Sequence, residues 1–390
     1  MTKNELIGHF YEIFGEDGGA PVTVFSPGRV NLIGEHTDYN GGHVFPAALT
    51  IGTYFAARKR SDREVRFYSG NFQKKGIVSR SLDALEFDPS KGFSNYLMGM
   101  IWAYEKRYGY QVKEGLDLYL WGNIPNASGL SSSASVEVGM GKVLNELFGF
   151  DVPNLEIALT GQFSENRYNG VNCGIMDQFA IAMGRKDMAM FLDTATLEFE
   201  YVPVVLNGMK IVISCTNKKR GLADSKYNER RSECETALAE IREVKEINAL
   251  GELTGEEFED LKDAIRDPVR MRRARHAVYE NERTVKAVKL LNEGDVEGFG
   301  KLMNASHVSL RDDYEVTGVE LDTLAEESWK IDGVLGARMT GAGFGGCAVA
   351  IVRDEAVDEY VRKVGEAYEH KIGYPASFYV VEIGNGTDVF

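Results

Sequence analysis

The 390-residue chain has only four cysteines, Cys173, Cys215, Cys234 and Cys347, and no Cys-x-x-Cys pair among them. Neither zinc nor disulfides are indicated, and the four read as reduced, mostly buried thiols in a reducing compartment. No apolar run approaches the roughly 20 residues that cross a bilayer. The start Met1-Thr2-Lys3-Asn4-Glu5-Leu6 has no apolar centre of the kind a signal peptide carries, so a cytoplasmic location with no membrane partner is expected. Basic residues are also in short supply. Lys and Arg number 44 against 59 Asp and Glu, a formal charge of -15, which is the wrong sign for a nucleic-acid partner that depends on counterion release from basic surface.

Two familiar nucleophile and phosphate signatures are missing as well. Gly129-Leu130-Ser131-Ser132-Ser133 lacks the second glycine of a Gly-x-Ser-x-Gly elbow, and no Gly-Lys-Ser or Gly-Lys-Thr ends a Walker A loop. No internal repeat or low-complexity linker interrupts the chain. What is present is 44% hydrophobic content over a length that suits two domains with sizeable cores.

Three segments carry chemistry. Gly28-Arg29-Val30-Asn31-Leu32-Ile33-Gly34-Glu35-His36-Thr37-Asp38-Tyr39 concentrates charged and hydrogen-bonding side chains, and ionised carboxylates such as Glu35 and Asp38 grip sugar hydroxyls with charge-assisted bonds. A polar turn after a strand, or a metal cluster, has the same composition. Pro125-Asn126-Ala127-Ser128-Gly129-Leu130-Ser131-Ser132-Ser133-Ala134-Ser135 follows a strand pattern and opens a helical one. Unpaired first-turn amides with the helix dipole behind them make a phosphate site, and a serine hydroxyl there suits Mg²⁺. The plain alternative is a serine-rich cap. Arg338-Met339-Thr340-Gly341-Ala342-Gly343-Phe344-Gly345-Gly346-Cys347 contains Gly-x-Gly-x-x-Gly, but β-prone Cys347 to Val352 follows where a dinucleotide site needs a helix, so the glycines join two strands. Such a hairpin is either structural or a loop whose backbone closes over a ligand.

In order and position the three segments resemble the three motifs of the GHMP small-molecule kinases. The full run from Gly28 to Tyr39 is similar to that of family members acting on galactose. Asn172-Cys173-Gly174-Ile175-Met176-Asp177-Gln178, Tyr227-Asn228-Glu229-Arg230-Arg231 and Glu280-Asn281-Glu282-Arg283-Thr284 agree, so the likeness runs from about Phe25 to Val381. The resemblance implies a two-domain α+β fold with the site in the cleft between residues 1–206, bearing the sugar and ATP-phosphate motifs, and residues 207–390, bearing the glycine hairpin. It implies transfer of the γ-phosphoryl group of ATP to the anomeric hydroxyl of D-galactose, giving galactose 1-phosphate and ADP, with Mg²⁺ as cofactor.

Residue by residue, the resemblance assigns Glu35, His36, Thr37, Asp38, Gly174 and Tyr227 to the sugar. Asp177 takes the hydroxyl proton and Arg29 stabilises the transferring phosphoryl group. Ala127, Ser128, Gly129, Leu130, Ser131, Ser132 and Ser133 surround the ATP phosphates, Ser69 contacts the nucleotide, and Ser133 with Glu165 holds Mg²⁺. Because the transition state of phosphoryl transfer is loose, Asp177 is expected to orient the hydroxyl first and accept its proton late. The chain departs from the common pattern at Ala127-Ser128, where many relatives carry a glycine-bearing pair, and at Ala342, where many have glycine; an alanine is tolerable there if φ is not positive. A kinase of a related sugar such as N-acetylgalactosamine, or a galactose sensor without catalysis, are the alternatives; retention of Ser131 to Ala134, Asp177 and Arg29 together favours catalysis. A monomer or homodimer is expected.

Periodicity places strands at Val22 to Phe25, Ile51 to Arg58, Val65 to Ser69, Leu116 to Trp121, Met188 to Asp193 and Met209 to Cys215. Helices fit Lys3 to Phe14, Asn95 to Tyr108, Ser132 to Phe148 and Leu155 to Tyr168, and the pattern turns strongly helical after about Thr216. The boundary falls near Leu206-Asn207-Gly208. The basic cluster Arg270, Arg272, Arg273, Arg275 and His276 reads as a helix face paired with acidic neighbours such as Glu280 and Glu282.

Overall fold

The computed structural model describes residues 1–125, 129–218 and 223–390, with the side chains of 223–225 outside that description. Helix α1 (Lys3–Phe14) starts at a capping box in which Thr2 and Glu5 satisfy each other's amides, and leads into β1 (Val22–Asn31). Then come β2 (His43–Val44), β3 (Pro46–Lys59), β4 (Glu64–Ser69), β5 (Val78–Ser81), α2 (Ser94–Tyr108), β6 (Leu116–Gly122), α3 (Ser132–Phe148) and α4 (Asn154–Ser164). A π-turn (Glu165–Asn169) ends α4 and is followed by α5 (Met176–Met183), β7 (Met188–Asp193) and β8 (Phe199–Pro203). The second half holds β9 (Met209–Cys215), α6 (Ala223–Ile241), α7 (Gly255–Leu261), α8 (Pro268–Asn292), α9 (Val296–Asp312), α10 (Gly318–Ser328), β10 (Val334–Thr340), β11 (Cys347–Arg353), α11 (Val357–Ile372), β12 (Ser377–Val381) and β13 (Asp388–Val389).

The strands of the described residues form three sheets, ordered β13-β1-β3-β6-β4-β5, β10-β11-β9-β12 and β2-β7-β8. Strand β3 is buried along nearly its whole length because both faces are covered. Alternate residues point opposite ways: Phe55 and Ala57 pack toward α2, α3 and α4, while Tyr54 and Ala56 meet Leu6 and Phe10 of α1. In the second half the same alternation sends Ile211, Ile213, Val349 and Ile351 toward the first half, and Val212, Ala348 and Ala350 toward Tyr360 and Val364 of α11.

One core therefore spans the two halves. Val30, Leu32, Ile33, Phe45 and Leu49 pack with Ile213, Phe299, Met303 and Val349 in a single apolar cluster. The end of the chain returns to the first half, where β13 pairs with β1 through Val24↔Val389 and Phe25↔Asp388. Short elements with little apolar patterning, β2, β5, β8 and α7, were invisible to periodicity. Helix α5 was invisible too, because Met176 to Met183 is buried almost all round and lacks a polar face.

Two other expectations need correction. Cys215 and Cys347 are joined in a disulfide, their Cα atoms 4.1 Å apart in the β9–β11 register; a separation of 132 residues conceals a cross-strand pair that only sheet topology creates. Cys173 and Cys234 are free. The four arginines of the basic cluster pair with neighbouring elements and not with Glu280 and Glu282: Arg270 meets Glu240 at 2.7 Å, Arg273 meets Glu233 at 2.9 Å, Arg272 meets Glu315 at 3.3 Å, and Arg275 lies 3.6 Å from Asp313. No helix among the described residues is long and apolar enough to cross a membrane. Because Phe299 is fully buried in the shared core against Phe45, Phe299→Ala should destabilise the protein by about 3–5 kcal/mol, read from urea unfolding; a change below about 1 kcal/mol would mean that this seam does not hold the halves together.

Candidate active site

A cavity of about 310 Å³ opens between the halves and takes its wall from both, including Arg29, Asp38 and Asp177 from the first and Tyr227, Gly341 and Gly343 from the second. Its phosphate-like end is the start of α3. Ser131 precedes the helix in the left-handed region at φ +61°, and its hydroxyl makes no cap to the helix but donates to Asp177 Oδ2. The first amides of this 17-residue helix thus have no partner within it, and Ser131, Ser132 and Ser133 all line the cavity. Across from them, a Cβ at Gly341 would come within 2.7 Å of the Gly129 carbonyl oxygen, so only glycine lets the hairpin lie against the loop. Ala342 has no positive φ, which explains why alanine is accommodated there.

Asp177 occupies the middle. It sits in the first turn of α5 with its side chain 31% exposed, and its Oδ1 accepts a 2.7 Å bond from Arg29 Nε. Arg29, at the end of β1 and only 3% exposed, also donates from Nη1 to the Gly129 carbonyl at 2.7 Å. One carboxylate is thereby held by a guanidinium and a serine hydroxyl while still facing the cavity.

The sugar-like end is the loop after β1. Glu35 Oε1 accepts the Gly341 amide at 2.7 Å and lies 3.4 Å from Arg338. Burial raises the Glu35 pKa, against the pull of Arg338 and Arg29. His36 is placed at φ +61°, with Nδ1 2.8 Å from the Tyr39 hydroxyl, which is itself 2.8 Å from that of Tyr314. Burial, reinforced by His276, lowers His36 to about 3, so the ring is neutral, and its Nε2 has no aligned partner among the described residues. Asp38 lies so close to Gly174 that a Cβ there would be 1.8 Å from Oδ2. Burial, then the Asp177 and Glu35 carboxylates, raise Asp38 to about 7. Tyr227 of α6 closes this end, its ring 5.6 Å from that of His36.

Glu165 opens the π-turn, a helical irregularity common at functional sites, and also lines the cavity. Gln178 Nε2 stands 3.3 Å from Oε2 of both Glu165 and the fully buried Glu137. Burial, followed by the Glu165 carboxylate, pushes Glu137 well above the usual carboxylate range. No group of three His, Cys, Asp or Glu side chains suited to a metal occurs among the described residues.

Of the residues expected from sequence, the cavity brings together Arg29, Glu35, His36, Asp38, Gly129, Ser131, Ser132, Ser133, Glu165, Gly174, Asp177 and Tyr227. Three expected residues are elsewhere. Thr37 is fully buried with its hydroxyl 2.9 Å from the Gly34 carbonyl and 2.7 Å from that of His43, so it shapes the loop from behind. Leu130 packs into the shared core, where its carbonyl accepts the Arg29 amide at 3.3 Å. Ser69 ends β4, buried and away from the wall. Ala127 and Ser128 lie outside the described residues. Sequence reasoning passed over Tyr96, Val171, Cys173, Met176 and Gln178; Cys173, Met176 and Gln178 fall within the run that pointed to Asp177, whereas Tyr96 gives no signal in its helix.

Three family models match the chain: a galactokinase galactose-binding signature over residues 8–59, the GHMP kinase N-terminal domain over 95–185 and the GHMP kinase C-terminal domain over 287–370. The chain is 58% identical to the galactokinase of Clostridium beijerinckii over 384 residues, 98% of either chain, and 59% identical to that of Clostridium acetobutylicum, covering 98% of this chain and 96% of the other. Among solved structures, Lactococcus lactis galactokinase complexed with galactose superposes with a TM-score of 0.97 at 53% identity, covering 99% of each chain. The mevalonate kinase of Methanococcus jannaschii shares the fold, with a TM-score of 0.66 at 19% identity over 94% of this chain and 99% of that one.

Two consequences can be measured. Gly174→Ala drives a methyl into Asp38 and should destabilise the protein by about 1–3 kcal/mol, read from urea unfolding; an unchanged midpoint would mean that Asp38 does not lie against Gly174. Since burial and then the Asp177 and Glu35 carboxylates raise Asp38 to about 7, its side-chain carboxyl should titrate in that interval by carbon NMR, and Asp177→Asn should lower the midpoint. A flat wild-type profile would contradict the raised value.

Proposed function

The chain belongs to the galactokinases, a branch of the GHMP kinases, and from that premise we propose that it transfers the γ-phosphoryl group of ATP to the anomeric hydroxyl of D-galactose, giving galactose 1-phosphate and ADP. The observation that carries the reading is the placement of Asp177, held by Arg29 and Ser131 between the start of α3 and the Asp38–Gly174 end.

In this reading the α3 amides and helix dipole bind the phosphates. Glu35, His36, Asp38 and Tyr227 fix the sugar so that its anomeric oxygen faces the γ-phosphorus, which converts the encounter into an oriented, effectively unimolecular step. The oxygen–phosphorus bond forms as the bond to the β–γ bridging oxygen breaks, and the hydroxyl proton passes to Asp177. Arg29 neutralises charge on the transferring group. Oxygen donors suit Mg²⁺, and Ser133 with Glu165 supplies a hydroxyl and a carboxylate on the cavity wall, so these residues fit the ion and would hold it. Bound there, Mg²⁺ would offset phosphate charge and orient the leaving group. The raised Glu137 carboxyl beside them limits mutual repulsion among the acids. The enzyme is proposed to act in the cytoplasm.

ADP release should be fast with galactose and far slower with glucose, N-acetylgalactosamine, arabinose or mevalonate. Asp177→Asn keeps the shape and should lower kcat by roughly 10²-fold or more with the fold intact. Full activity of that variant would refute its role, and silence of the wild type on every substrate, with galactose and ATP still bound, would indicate a sensor.

A further inference from the structure

The loop that bears Glu35 is held from behind by side chains that do not reach the cavity. Arg338, in β10, is completely buried and belongs to neither the cavity wall nor an apolar cluster. Its guanidinium donates from Nη1 to the Asn31 carbonyl at 2.9 Å and from Nε to Ser306 Oγ at 3.2 Å, and both Nη1 and Nη2 lie 3.4 Å from Glu35 Oε1. Ser306, in α9, donates in turn to Glu280 Oε1 at 2.5 Å, and the same oxygen accepts the Gly34 amide at 3.0 Å. Glu280 Oε2 is bound by Arg283 Nε at 2.7 Å. The backbone amide before Glu35 and the carboxylate of Glu35 are thus anchored to α8, α9 and β10, all from the second half of the chain.

The Gly341 amide reaches Glu35 Oε1 at 2.7 Å, only three residues beyond Arg338. Oε1 is therefore committed to the strand and hairpin of the second half, and the rotation of the carboxylate is fixed by Arg338 from behind and by the Gly341 amide at the cavity wall. A planar fork suits this, because a guanidinium addresses Ser306, the Asn31 carbonyl and Glu35 from separate nitrogens at fixed angles, whereas an ammonium presents all its donors from a single nitrogen. Most buried donors in a folded protein are satisfied; Arg338 Nη2 has no aligned hydrogen bond among the described residues and stands against Glu35. That is the arrangement of a group held to orient a carboxylate, and a poor one for packing alone.

We propose that Arg338 is a positioning residue for sugar recognition: through Glu35 it sets the carboxylate that meets the sugar and joins the sugar loop to the glycine hairpin. The inference rests on the reading of Glu35 as a sugar contact. It predicts that sugar affinity depends on Arg338 while nucleotide affinity in the absence of sugar does not.

The test uses the full-length enzyme with Arg338→Lys and Ser306→Ala, each compared with wild type by urea midpoint to confirm folding and by calorimetric titration with galactose and, separately, with a non-hydrolysable ATP analogue. Arg338→Lys should raise the galactose Kd and KM by roughly 10-fold or more, the loss expected for a charge-assisted hydrogen bond, and Ser306→Ala by about 2- to 5-fold. The nucleotide Kd should stay within about twofold in both, since the α3 end is untouched. A folded Arg338→Lys with unchanged galactose Kd, or parallel losses for both ligands, would overturn the proposal; if that variant does not fold, Ser306→Ala decides by the same criterion. Failure of the wild type to bind galactose would instead overturn the sugar reading itself, and the inference with it.

Discussion

A charged pair only partly withdrawn from water ties three elements of this fold together: Arg29 at 3% exposure against Asp177 at 31%. A buried guanidinium that loses its partner is far more costly than the pair is worth when intact. Arg29 therefore needs Asp177 and the Gly129 carbonyl both in place, which locks the end of β1, the loop before α3 and the first turn of α5 into one arrangement. The apolar seam between the halves supports that arrangement from below, and the cavity is what remains open above it.

The cavity concentrates acid. Glu35, Asp38, Glu165 and Asp177 line it and Glu137 lies just behind, in a protein whose formal charge is already -15. Two devices keep such a cluster folded. Buried arginines meet two of the carboxylates directly, Arg29 at Asp177 and Arg338 at Glu35. Asp38 and Glu137 shift toward the neutral form: Asp38 rises to about 7, chiefly through burial, and Glu137 goes well above the usual range for the same reason. Glu280 goes the other way, to about 2, because Arg283, His276 and Arg338 outweigh its burial. Carboxylates of similar local chemistry thus take different protonation states from their surroundings, which is how active sites commonly divide acid and base roles. Function here is bought with stability that the shared hydrophobic core has to supply.

Much of this was legible in the sequence. The runs around Arg29 to Tyr39, Gly129 to Ser133 and Asn172 to Gln178 identified most of the cavity because each is a continuous segment whose residue types match its chemistry. Regular strands and helices such as Met188–Asp193 and Ser132–Phe148 followed from periodicity alone. What stayed hidden depends on tertiary pairing. The Glu35–Arg338 contact spans 303 residues and the Cys215–Cys347 pair spans 132. Thr37 and Leu130 illustrate the opposite limit: they stand inside matching motifs, but their side chains turn into the protein, and only backbone geometry distinguishes a motif residue that faces a ligand from one that supports its neighbour.

The most direct test of the central claim, that Asp177 and Arg29 direct phosphoryl transfer to the anomeric oxygen, is a carbon NMR spectrum of the product made from uniformly ¹³C-labelled galactose, ATP and Mg²⁺. Splitting by phosphorus at the anomeric carbon is the result this account predicts. Phosphorus coupling at the sixth carbon instead, or no phosphorylated sugar at all, would contradict it.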